Sequence, residues 1–159
     1  WVRGQIEDQR LTIAAGAFPD NPTTRKNIIL NEDVRYANYD GTDSISFLAQ
    51  KSIYMGLVSN DILRIDGVLF AQNGRIARFY YQSPSQQSGA QKCAPYDVRQ
   101  KISIYGAIIS HDMYELGFED STGYIIRELI FDSNLLYSPP ESFPAVTDQY
   151  VQVLWNEIQ

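Results

Sequence analysis

The chain is short of the residues on which most active-site chemistry depends. A single cysteine, Cys93, and a single histidine, His111, stand in 159 residues. One cysteine excludes an intramolecular disulfide and a multi-thiolate zinc site, and one histidine excludes a His-rich metal centre. Basic residues are scarce as well. With 13 Lys+Arg against 19 Asp+Glu the net charge is −6, so the phosphate neutralisation that drives nucleic-acid binding is not on offer. No stretch approaches the roughly 20 apolar residues of a membrane-spanning helix, and no basic segment followed by an apolar one opens the chain. Helical patterning is missing too: between residues 1 and 145 no window sustains apolar residues at i, i+3, i+4 and i+7 over a helix length.

What is present points to strands. Hydrophobic residues make up 44% of the chain, with 11 Tyr and 7 Phe, enough for the core of a single domain spanning 1–159. Leu11–Ile13, Asn27–Leu30, Ser44–Phe47, Ile62–Ile65, Ile102–Tyr105 and Ile125–Arg127 are short β-branched or aromatic runs bounded by Gly, Asn and Asp.

Two pairs of segments resemble each other. Phe47-Leu48-Ala49-Gln50 followed by Ile53 returns as Leu69-Phe70-Ala71-Gln72 followed by Ile76, an offset of 69 − 47 = 22, with one extra residue near Gly74. Ile65-Asp66-Gly67-Val68-Leu69 returns as Ile104-Tyr105-Gly106-Ala107-Ile108, an offset of 106 − 67 = 39, which reads as two units of about 20. These spacings predict an all-β, parallel β-helix-like solenoid of short coils. Each Ala would sit at an inward corner, each following Gln outside, and Gly67, Gly74 and Gly106 where the backbone turns. The alternative is a β-sandwich, whose strands also recur at short intervals.

Residues 82–91 and 111–123 read as exposed, mobile loops. The Pro-rich stretch from Asn134 to Pro144 predicts an extended segment that ends the ladder, so that 134–159 form a C-terminal extension and cap. Val151, Val153 and Trp155 alternate like a strand, although Val151, Leu154, Trp155 and Ile158 also satisfy a helix; the strand is the preferred reading.

No residue set carries a catalytic, cofactor or metal assignment. Cys93 and His111 lie 18 residues apart in loop-like sequence, and Ser110-His111-Asp112 are adjacent without the strand–elbow–helix setting of a hydrolase. Asp61 and Asp66, flanking a strand with Arg64 between them, and Glu115, Glu119 and Asp120 in one loop, are the carboxylates to weigh against a glycosidase pair. Asp40-Gly41-Thr42-Asp43 and Glu119-Asp120-Ser121-Thr122 read as turns and do not match a calcium loop. Tyr36, Tyr39, Tyr54, Tyr80, Tyr81 and Tyr105 are candidates either for a sugar- or protein-binding face or for completing the core.

Trp1–Gln5, Leu11–Gly16, Leu63–Gly74, Ile102–Ile108 and Asn134–Pro140 resemble the C-terminal ectodomain of bacterial pilus-assembly, pilin-like surface proteins. The likeness spans nearly the whole chain, although its motifs are framework motifs and bring no catalytic or ligand residue with them. Where the family often has Ile-Asp-Ala-Ala, this chain has Ile65-Asp66-Gly67-Val68. The resemblance implies a non-catalytic structural or display domain at the cell surface. It implies type IV pilus or envelope proteins, or further copies of the chain, as partners, and no cofactor; nucleic acid is set aside by the charge balance. It also implies an anchor preceding Trp1. A self-assembling cytoskeletal solenoid and a carbohydrate-binding or carbohydrate-active module are the other expectations.

Overall fold

The computed structural model describes residues 2–80 and 96–143. The described residues form ten strands: β1 (Gly4–Ile6), β2 (Arg10–Ala15), β3 (Ile28–Leu30), β4 (Val34–Tyr36), β5 (Ser44–Ala49), β6 (Ile53–Met55), β7 (Ile62–Ala71), β8 (Ile76–Arg78), β9 (Val98–Ser110) and β10 (Gly123–Phe131). Among them the only helical element is a 3-10 turn, Ser133–Leu136, and no helix is long and apolar enough to cross a membrane. All named strand pairs are parallel. The hairpin-linked pairs of an antiparallel sandwich are not among them.

The strands fall into two sheets. In the larger, β1, β4, the first half of β7, the first half of β9 and β10 lie side by side. Next to that row, β2, β5, the second half of β7 and the second half of β9 make another. The smaller sheet is β3-β6-β8, continued by a parallel bridge from Ala77 to Glu115. Alternation supplies the reason for the core between the sheets. Leu30, Ile53, Met55 and Ile76 come from the smaller sheet, and Phe47, Leu63, Ile65, Leu69 and Ile102 from the larger, each with no exposed surface.

The sequence repeats are ladder registers. Phe47 pairs with Leu69 and Ala49 with Ala71, while Ile53 pairs with Ile76, so the extra residue falls in the turn containing Gly74. Ile65 pairs with Ile104 and Gly67 with Gly106. The offset of 39 is therefore one passage of the chain and not two units of 20, because the segment between β8 and β9 lengthens that passage. Gly67 and Gly106 stand within strands, where β7 and β9 run from the first row into the second. Their φ values are +140° and +150°, and a Cβ on Gly106 would lie 2.0 Å from the Gly67 carbonyl oxygen. Only glycine permits that approach.

Several expectations need correcting. Ala49 and Ala71 are buried as expected, but Gln50 is only 7% exposed; its amide binds the Ala17 backbone and Asp20 instead of facing solvent. The 111–123 segment is not a free loop. Glu115 N–H donates to the Ile76 carbonyl, the Glu115 carbonyl accepts from Arg78 N–H, and Leu116 and Thr122 are buried. The Pro-rich stretch runs along the body, but it begins in the 3-10 turn capped by Asp132 and returns to the first passage. There Arg10 and Thr12 donate to the carbonyls of Pro139 and Glu141, and Phe143 meets Phe70 edge-on, 6.4 Å between centroids. As far as Phe143 it crosses the flank, and the rest of the expected cap, 144–159, lies outside the described residues. Cys93, Tyr81, the 82–91 segment and the tail pattern from Val151 to Ile158 lie outside the described residues.

Candidate functional site

Ionisable groups gather on the outer face of β7 and β9. The pleat that sends Ile65 inward sends Asp66 outward, yet Asp66 has no exposed surface. Tyr39, on the segment linking β4 to β5, reaches over it. An Asx turn at Asp40, accepting from Thr42 N–H and Oγ1, and Asp43, accepting from Gln9 N–H and Asn38 N–H, shape that link. It is tied to the 3-10 turn by Asn134 Nδ2 donating to the Tyr39 carbonyl, 3.1 Å.

Beneath this cover Asp66 Oδ2 accepts from Tyr36 N–H at 2.9 Å and Tyr39 Oη at 2.6 Å, and Oδ1 accepts from Arg64 Nε at 2.8 Å. Arg64 Nη2 also donates to Tyr39 Oη at 3.0 Å. Tyr105 Oη donates to Asp132 Oδ1 at 3.1 Å, and Asp132 is 1% exposed. Rings of Tyr36, Tyr39 and Tyr105 pack together, with centroids 5.2–6.2 Å apart. Burial, then the hydrogen bond to Asp66, pushes the Tyr39 phenol up to about 12. Burial raises Tyr36 further and, with the Asp132 charge, raises Tyr105. The Tyr39 and Tyr105 phenols are thus held as proton donors to carboxylates, while Tyr36 Oη accepts from Ile45 N–H at 3.3 Å, an arrangement that suits a cross-link between passages.

A second buried group is Arg78, 1% exposed. Its Nη1 donates to the Gly56 carbonyl at 2.7 Å and Ser59 Oγ at 2.6 Å, and its Nη2 to the Tyr96 carbonyl at 2.6 Å. The guanidinium lies 5.4 Å from the Tyr124 ring centroid. Tyr124 Oη in turn donates to Ser59 Oγ at 2.8 Å. The arginine gathers carbonyls at a chain turn.

Other groups weighed in the sequence are placed apart. Ser110 Oγ donates to the Asp112 carbonyl, not to His111, while the exposed His111 Nδ1 sits 2.9 Å from Asp112 Oδ1; no triad forms. Asp61 accepts Gln100 N–H, and Asp33 accepts Arg64 N–H, each bridging one passage to the next. Asp120 accepts from Thr122 N–H and Oγ1 in an Asx turn and from Tyr80 Oη. Glu115 lies 3.5 Å from Arg75. Tyr54 stacks on Phe79 at 4.1 Å, and Tyr80 meets Phe118 edge-on at 4.9 Å. The described tyrosines of that set divide into three groups and do not form one face. Asp132 and Arg78 went unnoticed in the sequence; the repeat of Ile65-Asp66-Gly67 at Ile104-Tyr105-Gly106 was the available signal for the Asp66–Tyr105 neighbourhood. No cluster of three or more potential metal-ligating His, Cys, Asp or Glu occurs among the described residues. No protein-family model, curated protein or solved structure matches the chain.

Proposed function

We propose that the chain is a β-solenoid acting as a non-catalytic structural or display domain of a cell-surface, type IV pilus-associated, pilin-like protein. The observation that carries the solenoid reading is the coincidence of the sequence repeats with parallel pairing at 47/69, 53/76 and 67/106. Such pairing lets backbone ladders share load along the stack. Side chains at the turns add bonds between passages: Asn31 Oδ1 accepts Gly56 N–H, and Asn27 Oδ1 accepts Ser52 N–H. The surface assignment rests on the resemblance of the framework segments. Expressed as the native gene product in a piliated host, the protein should fractionate with envelope or pilus material; recovery from cytosol alone rejects the assignment.

The apolar outer surface of β10 favours one second reading, in which coil ends stack into filaments. Sedimentation of the purified chain separates the two: a species that grows with concentration supports filaments, and a strict monomer removes them. A carbohydrate module has less support, because Asp66, Asp61 and Asp120 already hold internal donors; a glycan-binding and polysaccharide-cleavage screen tests it directly.

A further inference from the structure

We propose that the cavity lined by Arg75, the 113–117 segment and Arg127 binds a small monocarboxylate with an apolar body, its carboxylate gripped by the Arg127 guanidinium.

Arg127 stands where the ladder otherwise carries apolar residues. Leu63 pairs with Ile102 and Ile102 with Arg127, and residues in register on neighbouring parallel strands share a face. Leu63 and Ile102 have no exposed surface, so β10 places a charged residue on the core side of the sheet. Its Nη1 donates to the Tyr124 carbonyl at 3.2 Å. Gly117 makes room for it, because a Cβ at that position would lie 2.2 Å from Nη1. Among the described residues Arg127 forms no ion pair.

Beside it is a cavity of about 430 Å³, a size within the range of small-molecule sites, roughly 300–1,000 Å³. Two guanidiniums, Arg75 and Arg127, and one carboxylate, Glu115, line it. The local excess is one positive charge in a chain of net charge −6, which suits a monoanion and disfavours a dianion. Glu115 lies 3.5 Å from Arg75, longer than a charge-assisted hydrogen bond of about 2.7–2.9 Å, and both side chains are nearly half exposed. The planar donor fork of Arg127 therefore remains for a ligand, and its geometry matches a carboxylate. The rest of the lining is apolar or aromatic. Leu116 is buried, while Met113 and Tyr114 are 85% and 45% exposed. A thioether and a ring left open at a cavity wall offer contact to an apolar body.

Calorimetric titration of the full chain with benzoate tests the site. Benzoate should bind saturably, about tenfold more tightly than neutral benzamide, and more tightly than acetate, which lacks the ring. Arg127→Met should weaken benzoate about tenfold with the far-ultraviolet spectrum unchanged. Arg3→Met, which removes an exposed arginine paired with Glu32 beside β1, should leave the affinity as it was. Glu115→Gln should tighten binding a few-fold, since it removes the charge that repels the ligand; a merely structural cluster would not respond in that direction, and this readout stands even if Arg127→Met fails to fold. Absence of saturable benzoate binding, equal affinity for benzamide or acetate, a folded Arg127→Met chain that binds as the parent does, or weaker binding by Glu115→Gln overturns the proposal. Inorganic phosphate binding more tightly than benzoate also overturns it, since the occupant is then a dianion.

Discussion

The β7–β9 junction and the free flank of β10 are built from the same residue types and differ in what lies beside them. In the junction, Ile65, Leu69, Ile102 and Ile104 are at most 2% exposed, while on β10 Ile125, Ile126, Leu129 and Ile130 are 42–50% exposed. Both strands pair in parallel, and both are rich in Ile and Leu. The difference is that β9 has a neighbour on each side over its first half and the smaller sheet across the core. β10 has β9 alone. Burial here comes from stacking, layer upon layer, and the hydrophobic pattern of one strand does not secure it.

Substitutions at the two places should separate most widely where the backbones touch. Gly106→Val should cost roughly 4 kcal/mol or more, because its Cβ would meet the Gly67 carbonyl at a strained φ; equilibrium urea unfolding measures it. A loss under about 1 kcal/mol would show that β7 and β9 are not in contact at the glycines. Next comes Leu69→Ala, fully buried, with an expected loss of about 3 kcal/mol, against less than about 1 kcal/mol for Ile126→Ala on β10. Equal losses would erase the contrast.

The polar cross-link should yield a smaller effect. Asp66→Asn removes the charge that Arg64 and Tyr39 share and should cost about 2 kcal/mol, with Tyr39 titrating nearer 10.0 in ultraviolet absorbance. Raised tyrosine values carry a definite sign. Their contribution is complete below the unfolded value of 10.0 and is lost as the pH climbs toward about 12, the folded value of Tyr39. Urea midpoints should therefore fall on the alkaline side of pH 10, and less steeply in Tyr39→Phe.

The least effect is expected in acid. Burial pulls Asp33 up, but the Arg64 N–H and the Arg35 guanidinium outweigh it and hold the carboxyl below 3.8. A depressed carboxyl stabilises above its unfolded value, and that contribution disappears as the pH falls through the folded one. Asp33→Asn should flatten the acid limb of stability by a few tenths of a kcal/mol, read from urea midpoints near pH 3 and pH 6.

The architecture was legible wherever neighbouring passages carry similar residues. Ala49 over Ala71 and Gly67 over Gly106 left repeats at fixed offsets because the same space is filled twice. Five of the six strands expected from apolar runs fall within observed strands and the sixth, Asn27–Leu30, exceeds β3 by Asn27 alone, whereas β1, β4, β6 and β8, three residues each, are too short for alternation to register. The path of the chain was harder to read. The offset of 39 gave no sign of whether one passage or two had intervened. The candidate site was hardest. Asp66 stands on the outward face of its strand until Tyr39, 27 residues earlier and itself held by Asn134 of the 3-10 turn, closes over it. Such cover depends on the path of two distant segments and leaves no local pattern.

Nuclear Overhauser contacts between backbone protons of the isotopically labelled chain test the stacked arrangement most directly. The account predicts cross-strand contacts at offsets of 22 for Ala49 with Ala71, 23 for Ile53 with Ile76 and 39 for Gly67 with Gly106, in the staggered amide–α pattern of parallel strands. Close α–α contacts between successive strands, the mark of antiparallel pairing, would contradict it.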